Sequence, residues 1–275
     1  MRLGVKAFMV LKVCSVQTHP INGEVEKNLK RVEEIVESVP AAFDLLLLPE
    51  LFSTGYFMDQ RLLDLIDRFQ SLTVTWLEKK SKQWQVFVAA GIGRRSDDHY
   101  HNALALIDRG AFKGYYDKTH LFRDEKRFFS PGGHLAIAEI SGVKVGFFLC
   151  YEIGFPEIHR AYTKEGVQLL AGSFAFGKLR SRYYDVFSNA RPIENGVFLA
   201  TSCLCGSYPD HEFNGHSRIV TPNGTILADA LDKEGWILGS IDSSVVHDYQ
   251  TREEQDANAY LLNLREGVTH EIRIL

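Results

Sequence analysis

The sequence predicts a single-domain α/β protein built on mixed β-sheets. Short apolar runs of strand length alternate with amphipathic stretches, the pattern of strand–helix–strand units. Three pairs of runs are separated only by turn residues, as in β-hairpins. No internal repeat, low-complexity segment or linker interrupts the 275 residues, so one large domain is expected, from Met9 to Leu275. Residues 1–8, "MRLGVKAF", precede the first strand signal and read as an N-terminal extension or alternative start. They are too short for a signal peptide and lack a small-residue cleavage site.

The elements follow in order. "VLKVCSVQ" reads as a buried strand. "EVEKNLKRVEEIVESV" sets Val25, Leu29, Val32, Ile35 and Val39 on one helical face, with acids in the first turn where the helix dipole favours them. "FDLLLLPE" is a fully buried strand stopped by Pro49, "TVTWLEKKSKQW" a helix, and "VFVAAGIG" a further strand. "NALALID" and "FKGYYDK" form one hairpin across "RGA"; "LAIAEISG" and "VKVGFFLC" form another. A helix starts at Pro156, where proline suits the first turn, and ends at Gly166. "VQLLAGS", a helix through "RYYDVFSNA", and "GVFLATSC" continue the alternation. Asn223-Gly224 marks the turn of a last hairpin, "GWILGSID" is the final strand, and the tail from Val245 is helical or irregular.

Bulk composition removes several classes of function. The 31 basic and 35 acidic side chains nearly balance, and no basic stripe stands out, which argues against a nucleic-acid partner. No apolar stretch reaches the length of a membrane span, and a cytoplasmic location is expected. Four cysteines in a chain with its own core do not make a disulfide framework. Cys203 and Cys205 form a C-x-C, but without a nearby Cys or His at ligand spacing they read as structural thiols. His99 and His101 lack a third ligand and read as a polar lead-in to the hairpin. No metal and no cofactor is expected.

Ionisable groups interrupt the apolar strands at three places. Glu50 ends "FDLLLLPE", Lys118 ends "FKGYYDK" and Cys150 ends "VKVGFFLC". Ligands of open α/β sheets collect outside the carboxyl ends of strands, so three such ends can converge. The three groups are chemically complementary. A thiol needs a neighbouring base or cation to become a nucleophilic thiolate. Glu50 in an apolar pocket can serve as that base, and Lys118 can stabilise thiolate and oxyanion. The N–H of Tyr151 is the natural second oxyanion donor. Taken singly, Glu50 reads more readily as a helix cap, Lys118 as an exposed hairpin residue and Cys150 as core.

"LLLLPELFSTGY", "YDKTHLF" and "VGFFLCYEIGFPE" resemble, in order, the three signature segments of the carbon–nitrogen hydrolase (nitrilase) superfamily. Further similarity lies in "EKRFFSPGG", "ARPIENGVFLATS" and "GHSRIVTPNGTIL", so the resemblance runs from Val10 to Ser243. It implies a four-layer α-β-β-α sandwich, usually paired through helices on an outer layer. It also implies a Glu50–Lys118–Cys150 triad and a second glutamate, Glu125, that positions substrate and the lysine. Asp124 is adjacent and open to confusion with Glu125.

The chain departs from the amidase-like pattern in two places. Many such members have Cys-Tyr-Asp or Cys-Trp-Asp, whereas this chain has Cys150-Tyr151-Glu152, closer to the Cys-Trp-Glu of true nitrilases. Where relatives commonly read Ala-Ala-Asn, it has Thr201-Ser202-Cys203.

The resemblance implies an amidase-type hydrolase that cleaves the C–N bond of a small linear amide or N-carbamoyl compound through a cysteine thioester. A nitrilase with the same triad is the alternative that Glu152 motivates, and a non-catalytic binding or assembly relative is a third. Tyr56, His120, Glu152 and Phe174 are candidates for the substrate pocket. Phe176 is a further candidate, though such aromatics more often belong to the core. Arg191 and Glu194 are expected to pair one helical turn apart. A homodimer or higher even oligomer is expected. Its contact is placed on the helix around Phe155, Ile158, Ala161 and Tyr162 and the aromatics Tyr183, Tyr184 and Phe187.

Overall fold

The computed structural model describes residues 8–209, 211–252 and 260–264. All but Phe8 of the expected N-terminal extension, and most of the tail, lie outside the described residues. The first half of the chain forms β1 (Val10–Gln17), α1 (Val25–Glu37), β2 (Leu45–Leu48), α2 (Gln60–Trp84), β3 (Phe87–Ser96), β4 (His99–Asp108) and β5 (Ala111–Asp117). A one-turn helix, α3 (Glu125–Phe128), leads to β6 (Ala136–Ile140), β7 (Val143–Leu149), α4 (Pro156–Lys164) and β8 (Leu169–Phe174). Then come α5 (Ser181–Asn195), β9 (Phe198–Cys203), β10 (Cys205–Ser207), β11 (Glu212–Asn214) and β12 (Arg218–Val220). β13 (Ile226–Asp229), β14 (Gly235–Asp242) and α6 (Ser243–Thr251) close the described chain.

Two six-stranded mixed sheets result, in the orders β14-β1-β2-β3-β4-β5 and β13-β12-β9-β8-β7-β6. Each has three parallel strands at its centre (β1, β2, β3 and β7, β8, β9) and antiparallel strands at its edges. Parallel strands must be covered on both faces, which explains their continuous apolar runs. The four leucines of β2 show how the cover is divided. Leu45 and Leu47 enter the core between the sheets, while Leu46 and Leu48 meet Leu29, Val32 and Leu77 of α1 and α2. Full burial of each stabilises by about 2 kcal/mol. On the second sheet, Phe147 stacks on Phe87 across the interior at 6.0 Å, and Phe148 turns outward to His159 of α4. The layers are therefore α-β-β-α, as expected.

β14 returns from the second half to pair with β1 along its whole length, from Val10↔Asp242 to Gln17↔Gly235. Ser173 Oγ donates to the Leu48 carbonyl (2.7 Å) and Ser202 Oγ to that of Val16 (2.5 Å), tying the central strands of the two sheets together. The result is a single domain.

Two elements differ from the sequence reading. α2 begins at Gln60, well before Thr73, because Asp59 accepts the Arg61 N–H as N-cap and Leu62, Ile66 and Thr73 continue the stripe to Leu77. The β10–β11 ribbon was not expected; its strands have three residues each, too few to show a period.

Candidate active site

Three strand ends deliver the expected trio. Glu50 follows β2 after Pro49, and the next residue, Leu51, turns the chain in the left-handed region at φ 50°. β3 makes room for that turn with Gly91, where a Cβ would come within 2.4 Å of the Glu50 Cα and the Pro49 carbonyl oxygen. Lys118 follows β5. Its own N–H donates to Asn102 O at 2.8 Å, its carbonyl accepts the Gly132 N–H at 2.9 Å, and the preceding Asp117 is gripped by both arms of Arg94. Cys150 follows β7 and opens a 3₁₀ turn, Cys150–Gly154, with φ 42°, a conformation that costs a non-glycine residue energy and recurs at functional sites.

These backbones bring the side chains together. Lys118 Nζ donates to Glu50 Oε1 at 2.6 Å and to Glu125 Oε1 at 2.8 Å, with all three side chains fully buried. Asn102 Nδ2 lies 2.8 Å from Glu50 Oε1 and 3.3 Å from Glu125 Oε1. Glu50 Oε2 accepts the Ala175 N–H at 2.8 Å. Glu125 also accepts from the Tyr56 hydroxyl (2.8 Å) and the Phe122 N–H (2.7 Å). Asp124, by contrast, is exposed.

Burial dominates the electrostatics. It pushes the Glu50 carboxyl above its ordinary range, with the Lys118 charge opposing and that of Glu125 adding to the shift. Burial alone would lower Lys118, but Glu125 and Glu50 together reverse this and hold it charged. The Cys150 thiol is pushed well up by burial and by Glu50, against Lys118 and the Ala175 N–H. The resting site therefore holds a protonated thiol, and a carboxylate with raised proton affinity lies beside it. The other thiols lack this setting: burial lifts Cys14 and Cys205 to about 12 and Cys203 to about 11.

The remaining candidates divide. Tyr56 reaches the cluster through its hydroxyl. The Tyr151 ring packs between Phe122 and Phe155, at 5.0 and 5.2 Å, and its N–H belongs to the first turn of the 3₁₀ segment, where amides lack partners within the helix. The His120 ring packs against Phe155 at 4.1 Å, tilted by 35°, and Nδ1 bonds Thr119 Oγ1 at 2.8 Å. Phe174 turns into the core against Phe148 and Tyr184 instead of lining an opening. Glu152 is also directed inward. Its Oε1 accepts from Thr119 N, Thr119 Oγ1 and His120 N, and its Oε2 from Tyr116 OH and Leu149 N, which leaves nothing to offer a substrate. Arg191 and Glu194 pair at 3.0 Å, as expected. Sequence reasoning missed Asn102 and the Ala175 amide. One is a lone polar residue at a strand start and the other a main-chain group, so neither carries a spacing signal.

A sandwich that collects a thiol, an ammonium and a buried carboxylate at its strand ends, with a second buried carboxylate from α3, has the architecture of an α-β-β-α hydrolase. The chain belongs to the carbon–nitrogen hydrolase family, whose sequence model matches residues 12–251. It is similar to the 2-oxoglutaramate amidase of Bacillus subtilis, with 35% identity over 80% of this chain and 86% of that protein. It is also similar to a nitrilase of Pyrococcus abyssi, with 29% identity over 82% of this chain and 87% of that protein. Among solved structures, the C. elegans NitFhit protein superposes with a TM-score of 0.88 at 20% identity, over 96% of this chain and 67% of that one. The protein is thus an enzyme that hydrolyses non-peptide C–N bonds.

Proposed function

We propose that this enzyme cleaves the C–N bond of a small linear amide or N-carbamoyl compound through a thioester on Cys150, releasing ammonia. The observation that carries the reading is the buried Glu50–Lys118–Glu125 cluster at the strand end that presents Cys150. Glu50 takes the thiol proton as the sulfur attacks the carbonyl carbon. Lys118 Nζ and the Tyr151 N–H stabilise the oxyanion. Glu50 returns the proton to the leaving nitrogen, and ammonia departs. Water deprotonated by Glu50 then opens the thioester, giving the acid and restoring the thiol. None of these steps calls on a cofactor.

An ω-amide whose far end is a carboxylate is the first substrate to test. The similarity to a 2-oxoglutaramate amidase supports it, as does Arg180. That guanidinium lies 4.8 Å from the Phe122 ring and 5.7 Å from that of Tyr151, with no carboxylate partner among the described residues. The nitrile alternative keeps the support of the Pyrococcus relative, but Glu152, which motivated it, is consumed by internal hydrogen bonds. Among the described residues no helix is long and apolar enough to cross a membrane; we assign the enzyme to the cytoplasm, acting as a homodimer or higher even oligomer.

An ammonia-release screen over ω-amides, N-carbamoyl amines and nitriles tests the substrate class. Cys150→Ala should cost at least about 10³-fold in turnover with an unchanged unfolding transition. Wild-type ammonia release from folded Cys150→Ala protein would exclude the thioester.

A further inference from the structure

We infer that Asn102 is a positioning residue of the hydrolysis: with Lys118 it occupies Oε1 of Glu50, so that the Cys150 proton is exchanged through Oε2. The inference rests on the triad reading above. Asn102 is fully buried at the start of β4, opposite Gly93 of β3. Its main-chain carbonyl accepts the Lys118 N–H, so the same residue fixes both ends of the lysine's surroundings. The orientation of its side-chain amide follows from chemistry. Turned over, Oδ1 would face two carboxylate oxygens with no hydrogen between them, whereas Nδ2 has two hydrogens for those two oxygens.

The two oxygens of Glu50 are consequently unequal. Oε1 takes Lys118 at 2.6 Å and Asn102 at 2.8 Å; among the described residues Oε2 takes only the Ala175 N–H. Leu149 of β7 lies in register with Ser173 of β8, so Cys150 and Ala175 leave neighbouring strand ends, which puts the thiol on the Oε2 side, where a lone pair remains. Glu125 is crowded in the same way on Oε1, but its Oε2 is turned to the start of its own helical turn. Tyr56, Lys118 and Asn102 meet at Oε1 and the Phe122 N–H takes Oε2, an arrangement that suits Glu125 to hold the ammonium.

Asn102 also conserves lysine donors. Lys118 has three hydrogens, and Glu50 and Glu125 take one each. Because a neutral amide supplies a further donor to Oε1 of each carboxylate, the third ammonium hydrogen stays available for an oxyanion. A second cation in place of Asn102 would lower the proton affinity of Glu50 and weaken it as a base.

The test is the pH profile of kcat/KM in Asn102→Leu, which matches the side chain in size and removes the donor. Glu50 is faced by Lys118, Glu125 and Cys150, with Tyr56 behind Glu125, and none of these is altered. Losing a donor to the ionised form raises the proton affinity of Glu50, so the base stays protonated to higher pH. The acidic limb should move up by about one pH unit. Asn102→Gln, which keeps the amide, should move it less. Should Asn102→Leu not fold, Asn102→Ala, which also removes the donor, carries the same expectation, read as the pH dependence of Cys150 alkylation by iodoacetamide. An unmoved limb in a folded variant, whatever its kcat, overturns the assignment of Asn102 and leaves the triad standing. Full turnover in Cys150→Ala would remove the triad and this inference together.

Discussion

Glu125 and Asp124 are neighbours in sequence and opposites in surroundings. Glu125 is fully buried and bonded to Lys118, whereas Asp124 is exposed and pairs only loosely, at 4.0 Å, with Arg127. A surface pair of that kind contributes little. Glu125→Gln removes a charge that holds the ammonium and places an N–H₂ among donors. We expect it to slow acylation by about 10²-fold or more, while Cys150 still reacts with small electrophiles. Asp124→Asn should leave both rates within about twofold. The measurement is pre-steady-state acyl transfer beside alkylation rate; full turnover in Glu125→Gln would remove that carboxylate from the chemistry. The one-residue ambiguity shows where reading the sequence stops. The segment "RDEKRFFSPGG" announces an acid near the lysine, but only the turn into α3 decides which acid faces inward.

At the scale of elements, Glu152 acts as a clamp between strand ends. Its carboxylate joins the end of β7, through Leu149 N, to the end of β5, through Tyr116 OH and the amides of Thr119 and His120. It therefore sets the distance between the strand carrying Cys150 and the strand carrying Lys118. A glutamine cannot replace it, because its N–H₂ would meet either the Leu149 or the Thr119 amide, donor against donor. Glu152→Gln should lose about 3 kcal/mol or more of stability, seen as a lower urea midpoint. An unchanged midpoint would contradict the clamp. The strands themselves were readable because burial on both faces makes them uninterrupted apolar runs, as in "LLLL" and "VGFFL". The first half of α2 was overlooked although Leu62 and Ile66 carry the helical period, because no glycine or proline marks its start and the signal lies in Asp59. Glu152 was legible as a departure from the family pattern. Its direction was not, since a buried carboxylate and a substrate-facing one are the same letter in the sequence.

For the whole molecule, the question is what covers the outer face of the second sheet's helices. Part of the expected contact surface is spent internally. Ile158, Tyr162 and Tyr184 are buried in the chain's own core, and Tyr162 OH bonds the Phe147 carbonyl. What remains outward is Tyr183 and Val186, each 55% exposed, with Leu179 fully exposed before them and Ile193 a turn or two beyond. Tyr183 also lines a cavity of about 260 Å³, with Tyr151, Gly154, Phe155, Arg180 and Phe187 among its walls. An apolar strip of this kind on a helix is more than scattered surface hydrophobes require. A two-fold pairing of α5 with its copy would bury it on both subunits at once. Tyr151 and Arg180 also connect the strip to the site, so dimerisation should affect catalysis as well as solubility. We expect light scattering at micromolar concentration to give twice the 31.2 kDa chain mass, or a higher even multiple. Tyr183→Glu combined with Val186→Glu should shift the mass toward the monomer, since two carboxylates would be buried unpaired at the contact. The same variant should lose activity in step with its dissociation as the protein is diluted. A monomeric wild-type mass with full activity would leave the strip as surface and confine the site to one chain.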